Sequence, residues 1–144
     1  MIAVDTNILL RYLLDDDATQ SRKARYLFET KQPILITDVV LAETIWTLKG
    51  KRYAAHRDDI AKIVMSLLEE VNVIFEDRQA IWSALNDFVA ASPVKTANGK
   101  KWADFSDALI VNKARMMALA LQQPYLGTYT FDLAALALDG TKKV

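Results

Sequence analysis

Five carboxylates in this chain stand where carboxylates can do chemistry. Asp5 follows the apolar run Ile2-Ala3-Val4. Glu43 lies between Val39 and Trp46, at i−4 and i+3. Asp104 and Asp107 are three residues apart, and Asp132 follows the run Tyr125–Thr130 by two residues. Several like charges near one pocket repel, and burial raises their pKa values further. A hard divalent cation, Mg²⁺ or Mn²⁺, relieves both effects, because it takes oxygen ligands and keeps several waters. Such a cation lowers the pKa of its water. A pair of them about 3.5–4 Å apart stabilises the attacking and leaving oxygens of phosphodiester cleavage. That chemistry needs no histidine base. The single histidine, His56, lies in the polar stretch RYAAHRDD and reads as an exposed helix-start residue. This argues against a Ser-His-Asp site. The absence of cysteine excludes disulfides, a thiolate metal site and a Cys nucleophile.

Each acid also has a plainer structural use. Asp5 can close a turn, with Thr6 or Asn7 capping the helix that follows. Glu43 can pair with an arginine such as Arg11. Asp104 can be an N-cap with Asp107 in the first helical turn, and Asp132 can cap a short helix. Whether the acids act together depends on the elements that carry them.

Those elements alternate. Residues 2–5, 34–37 and 71–75 read as strands, with a further strand around 125–130. Helical spacing covers 7–14 and about 18–30, where Asp17 and Gln20 resemble a capping box. It also covers the stretch opened by Asp38 and ending near Gly50, then HRDDIAKIVMSLLEE, DRQAIWSALNDFVAA and WADFSDALIVNKARMMALAL. FDLAALAL reads as a short helix, TKKV as a tail, and SPVKTANGKK (92–101) as the one clear loop. Asp107 precedes Ile110, Val111 and Ala114, which read as a buried stripe. This alternation implies an α/β fold, a three-layer α/β/α sandwich with a central parallel sheet. Right-handed crossovers put every strand's C-terminal end on one edge, where ligands of open α/β sheets bind.

The composition suits one globular domain over 1–144, with 25 % charged and 52 % apolar residues and a formal net charge of zero. Bulk charge therefore gives no support for duplex DNA binding, although a local basic patch can coexist with an acidic site. No apolar run reaches transmembrane length, and MIAVDTN lacks the features of a signal peptide, so a cytoplasmic protein is expected. Helices such as HRDDIAKIVMSLLEE and DRQAIWSALNDF carry wide apolar faces, which points to self-association.

DTNILLRYL at the start, LAETIW around Glu43, ADFSDALI around Asp107 and TFD ending at Asp132 resemble the four motifs of PIN-domain nucleases, most closely the VapC-type toxins of toxin–antitoxin pairs. The resemblance covers nearly the whole chain. It implies an Mg²⁺- or Mn²⁺-dependent ribonuclease, often a homodimer, with RNA as substrate and a cognate antitoxin as partner. Carried over by motif, Asp5, Glu43, Asp107 and Asp132 form an acidic quartet, and Thr6, Asn7 and Thr130 orient carboxylates and water. Asp104 belongs to the same motif as Asp107, and the sequence leaves open whether it binds metal or caps the helix. One departure is Val111-Asn112-Lys113, where many relatives have small alanines, which questions close helix packing there.

Substrate contacts are less legible. KTANGKK can supply phosphate contacts or be a solvated loop. Lys49, Lys51, Arg52 and Arg57 read as a solvated helix end. Trp46 and Trp82 read as core, and Trp102 is the tryptophan placed to stack on a base. Two other readings remain. One is a phosphohydrolase with Asp5 as covalent nucleophile, which wants a second Asp where Asn7 stands. The other is a non-catalytic Mg²⁺-binding receiver-like domain, which wants its Asp on a middle strand, whereas strand three here runs into Glu76 and Asp77.

Overall fold

The computed structural model describes all 144 residues, which divide into two compact units, Met1–Arg78 and Gln79–Val144. The first unit carries β1 (Ile2–Ala3), α1 (Thr6–Leu14), α2 (Ala18–Glu29), β2 (Ile34–Ile36), α3 (Asp38–Lys49), α4 (Arg57–Glu69) and β3 (Val73–Phe75). Its sheet runs β1-β2-β3 with both pairs parallel, Ile2 opposite Ile34 and Ile34 opposite Val73. On the central strand Ile34 and Ile36 are fully buried, while Leu35, on the opposite face, is half-buried.

The helices start where side chains satisfy their first N–H groups. Asp5 caps α1 by accepting from the Ile8 N–H at 2.8 Å. Asp17 caps α2 through the Thr19 and Gln20 N–H groups. The expected capping box there is one-sided, because the Gln20 oxygen instead accepts from Arg11 Nε at 2.8 Å. Thr37, not Asp38, is the N-cap of α3. His56 is exposed and forms a reciprocal capping box with Asp59 at the start of α4, the helix-start position expected of it.

The second unit carries α5, which begins at the preceding residue (Arg78–Ala90), then β4 (Val94–Thr96), β5 (Gly99–Lys101), α6 (Phe105–Ala120), β6 (Thr128–Thr130) and β7 (Thr141–Lys143). Ile81, Ala84, Leu85, Phe88, Phe105, Ala108, Leu109 and Val111 are buried, and the Phe88 and Phe105 rings meet edge to face at 5.9 Å. Asn112 is also buried. It donates to Asp87 Oδ2 at 2.7 Å and to the Ala108 carbonyl at 2.9 Å, so the departure Val111-Asn112-Lys113 is accommodated by a satisfied polar contact. Arg115 reaches Asp139 at 2.8 Å and lies over Gly140. Gly140 has φ +90°, a conformation that favours glycine, and a Cβ there would also displace the Arg115 guanidinium.

Several expectations are corrected. SPVKTANGKK is not a plain loop: β4 and β5 form an antiparallel hairpin within it, with Ala97-Asn98 as the turn and Gly99 opening β5 opposite Thr96. The TKKV tail is a strand, paired in parallel with β6, which is itself confined to three residues. FDLAALAL folds as a single 3-10 turn at Ala135–Ala137, too short a segment to propagate a helix. Ile110 is 56 % exposed, so it lies off the buried stripe, while Val111 lies on it. Trp46 and Trp82 are 76 % and 42 % exposed and are not core residues. The apolar residues of α4 that repeat at helical spacing, Ile60, Val64, Leu67 and Leu68, are buried within this chain. Exposed apolar residues include Val39 and Trp46 on α3, Trp82 and Val89 on α5, and Met117, Leu119 and Leu121 at the end of α6. No helix is long and apolar enough to cross a membrane.

Tyr12 ties three helices of the first unit together. Its ring stacks on Phe28 at 3.8 Å, and its hydroxyl donates to Glu70 Oε1 at 2.6 Å. Burial, and then the Glu70 carboxylate, push the hydroxyl up to about 12. A folded-state pKa raised above the unfolded value of about 10 contributes stability that is whole below pH 10 and lost as pH rises towards 12. Tyr12→Phe keeps the stack and should cost about 1 kcal/mol at pH 7. Urea melts at intervals between pH 8 and 11.5 should show the parent's advantage shrinking above pH 10, and parallel curves across that range would refute the linkage.

Candidate functional site

In the first unit the parallel sheet sets the geometry. β1, β2 and β3 point the same way, so the residues that follow them share one edge. Asp5 follows β1, and Asp38 and Glu76 come directly after β2 and β3 with one residue or none between. Glu43 lies on α3, just over one turn inside the helix. The Thr6 hydroxyl donates to Glu43 Oε2 at 2.5 Å, which joins the start of α1 to the second turn of α3. The Glu43–Arg11 pair that the sequence allowed is not made, because Arg11 goes to Asp16 at 2.6 Å. That contact holds the Asp16 carboxyl below its usual range, chiefly through the hydrogen bond itself. Asp5, Asn7 and Glu43 are exposed. Asp38 and Glu76 are an addition to the residues singled out from sequence, since the Asp38 N–H donates to Glu76 Oε2 at 2.5 Å. Their signal was available: each is an acid at the C-terminal end of a strand.

The second unit holds the other candidates. Asp104 is the N-cap of α6, with extended backbone at φ −81° and ψ 160°. Asp107 is the third residue of the helix, and its Oδ2 accepts from the Asp104 N–H at 2.9 Å, so the two acids form a reciprocal capping box. Asp104 thus occupies the capping position that the sequence offered as one alternative. Asp107 is half-buried and lines a pocket of about 120 Å³ with Ile110, Val111, Thr128, Thr130 and Thr141 among its walls. Thr130 accepts from the Asp132 N–H at 2.9 Å, and Asp132 Oδ1 accepts from the Ala134 N–H at 2.8 Å. Asp132 therefore closes the turn after β6 and is exposed, outside the lining of that pocket.

The donor set in both units is oxygen only: carboxylates, threonine hydroxyls and no sulfur. That is the chemistry of a hard divalent cation, which takes one or two carboxylates and completes its shell with water. No three Asp, Glu or His side chains are gathered closely enough to enclose an ion by themselves. A cation held by Asp5 and Glu43, or by Asp107, would keep an open, hydrated face, and this fits the exposure of Asp5 and Glu43.

Among curated proteins no match to the chain is found. The family model for the PIN domain matches residues 2–121. The matched span includes Asp5, Thr6, Asn7, Glu43, Asp104 and Asp107 and stops short of Thr130 and Asp132. The parallel sheet and its flanking helices agree with the α/β/α class expected from the sequence. Because the match runs unbroken from β1 to the end of α6, through both units, the chain belongs to the PIN-domain family, α/β proteins that are generally nucleases dependent on divalent metal ions.

Proposed function

We propose that the protein is a metal-dependent endoribonuclease acting in the cytoplasm, the toxin component of a toxin–antitoxin pair, and that the two units are halves of one nuclease domain. The observation that carries the proposal is the Thr6–Glu43 hydrogen bond. It couples the DTN turn to the acid of the second motif, as a site that orients carboxylates around Mg²⁺ or Mn²⁺ requires. Asp5, Glu43, Asp107 and Asp132 are the proposed acids, with Thr6, Asn7 and Thr130 as positioning residues. Asp104 caps the helix that presents Asp107. A bound divalent ion supplies Lewis-acid stabilisation of the phosphate and a water of lowered pKa. Thr6 fixes one Glu43 oxygen, and the α6 capping box holds Asp107 in the first turn, where the helix dipole favours an anion.

Millimolar Mn²⁺ should raise the melting temperature over EDTA by several degrees, since a native-state ligand at a hundredfold excess over Kd adds about 2.7 kcal/mol. Identical melts would count against a metal site. Asp107→Asn should abolish cleavage of single-stranded RNA and the Mn²⁺ shift, while leaving the metal-free melt near that of the parent. Asp104→Asn should keep measurable cleavage and the Mn²⁺ response, because Asn is itself a good N-cap. The reverse pattern would make Asp104 the ligand and Asp107 the cap.

Homodimer formation and antitoxin binding draw support from the exposed apolar residues Val39, Trp46, Met117, Leu119 and Leu121. Sedimentation at tens of micromolar should give a dimer. A monomer at that concentration would remove self-association and leave the chemistry untouched.

A further inference from the structure

The hairpin of β4 and β5 carries an arrangement that costs stability and has no internal explanation. Its register places Lys95 directly opposite Lys100 and Val94 opposite Lys101. Opposed residues of an antiparallel pair lie on one face with Cβ atoms about 4.5–5.5 Å apart, and like charges there are destabilising. Val94 and Thr96 are half-buried while Lys95 and Lys100 are exposed, so this face of the ribbon is turned to solvent. No acidic residue occurs between Asp87 and Asp104, and neither lysine makes an ion pair. The ribbon is nonetheless tightly closed. Thr96 Oγ1 donates to the Gly99 carbonyl at 2.7 Å and accepts from the Asn98 N–H, and Gly99 takes φ +99°, a conformation that favours glycine. The turn thus holds two lysine side chains on one face of the ribbon, where like charges destabilise. An isolated two-stranded ribbon is marginal in water, so the repulsion falls on an element with little stability to spare.

The chain then leads from Lys101 through Trp102, 43 % exposed, and buried Ala103 to the Asp104–Asp107 capping box. Three residues of extended chain span at most about 10 Å, so Lys101, where the ribbon ends, lies within that reach of Asp104.

We propose that the β4–β5 ribbon is a phosphate-binding element that holds the backbone of single-stranded RNA through Lys95 and Lys100. The proposal rests on the ribonuclease reading and names how that site takes hold of its substrate. A polyanion neutralises the opposed lysines and turns a destabilising pair into a binding one. The pairing fixes the spacing of the two side-chain stems in advance, which limits the backbone entropy lost when RNA binds. The zero net charge of the chain is consistent with this, because a local cationic face substitutes for overall basicity.

The test is a salt titration of a labelled single-stranded oligoribonucleotide against the full chain in EDTA, for the parent and for Lys95→Ala/Lys100→Ala. Each phosphate contact on a single strand contributes about 0.7 to the slope of log K against log salt. The double variant should bind more weakly at low salt, with a slope shallower by about 1.4. Lys95→Arg/Lys100→Arg should keep the parent's slope. The melting temperature of the alanine variant should equal the parent's or be slightly raised, so that a loss of binding cannot be read as a loss of fold. If the parent binds and cleaves RNA and the alanine variant binds it with the same affinity and slope, the ribbon proposal is overturned and the ribonuclease reading stands. If the parent neither binds nor cleaves RNA, both are overturned.

Discussion

Parallel pairing through β2 is the constraint on which the first unit depends. Ile34 is opposite Ile2 on one side and Val73 on the other, and it is fully buried. A one-residue slip of register would turn Ile34 and Ile36 out of the core, so burial holds the register. Once the three strands run the same way, their C-terminal ends cannot be dispersed. Asp5, Asp38 and Glu76 follow those ends, and the crossover helices must begin there too. The helix starts need acceptors for their N–H groups, and the same short turns supply carboxylates and threonines for that purpose. The residues that cap and the residues that can hold a cation are therefore drawn from one set. Asp5 caps α1 while standing at the sheet edge, and Thr6 orients Glu43 from the first residue of α1.

The second unit reaches a similar economy by another route. Two of its candidate acids, Asp104 and Asp107, are set by the first turn of α6 rather than by a three-stranded sheet. Asp104 and Asp107 satisfy each other's ends of the capping box. Behind them, α6 is fixed by buried Val111 and Asn112, with Asn112 held by Asp87 and by the Ala108 carbonyl. Arg115, one turn further along, binds Asp139 beside Gly140, just before β7 begins. The helix that presents Asp107 is thus held through polar contacts on α5 and on the approach to β7. A buried amide with both contacts made costs little, whereas losing one partner would leave a desolvated group.

Helical spacing in the sequence identified faces but not what covers them. Ile60, Val64, Leu67 and Leu68 on α4 and Val39 with Trp46 on α3 both recur at helical spacing. The first set is buried and the second exposed, at 73 % and 76 % for Val39 and Trp46. Periodicity reports that residues share a side of a helix. Which side meets the sheet, and which is left for another molecule, depends on the neighbours the helix finds.

From its sequence alone the chain declared its class, nearly every helix, the capping role open to Asp104, and the acids that sit at element junctions. Those features are local: apolar period, capping residues and strand-end carboxylates act within a few residues of one another. The Asn98-Gly99 step, where the turn meets β5, was a hairpin signal of the same local kind, hidden because the flanking residues are lysines and not alternating apolar ones. Other features were open only to the folded chain. The last three-residue strand pairs with β6 across ten intervening residues, and Thr6 meets Glu43 across thirty-six. Whether Ile110 or Val111 enters the core turns on a rotation of about 100° along α6, which only packing selects. Such contacts join segments far apart in the chain, and their partners are chosen by burial and hydrogen-bond satisfaction in three dimensions, which no short stretch of sequence encodes.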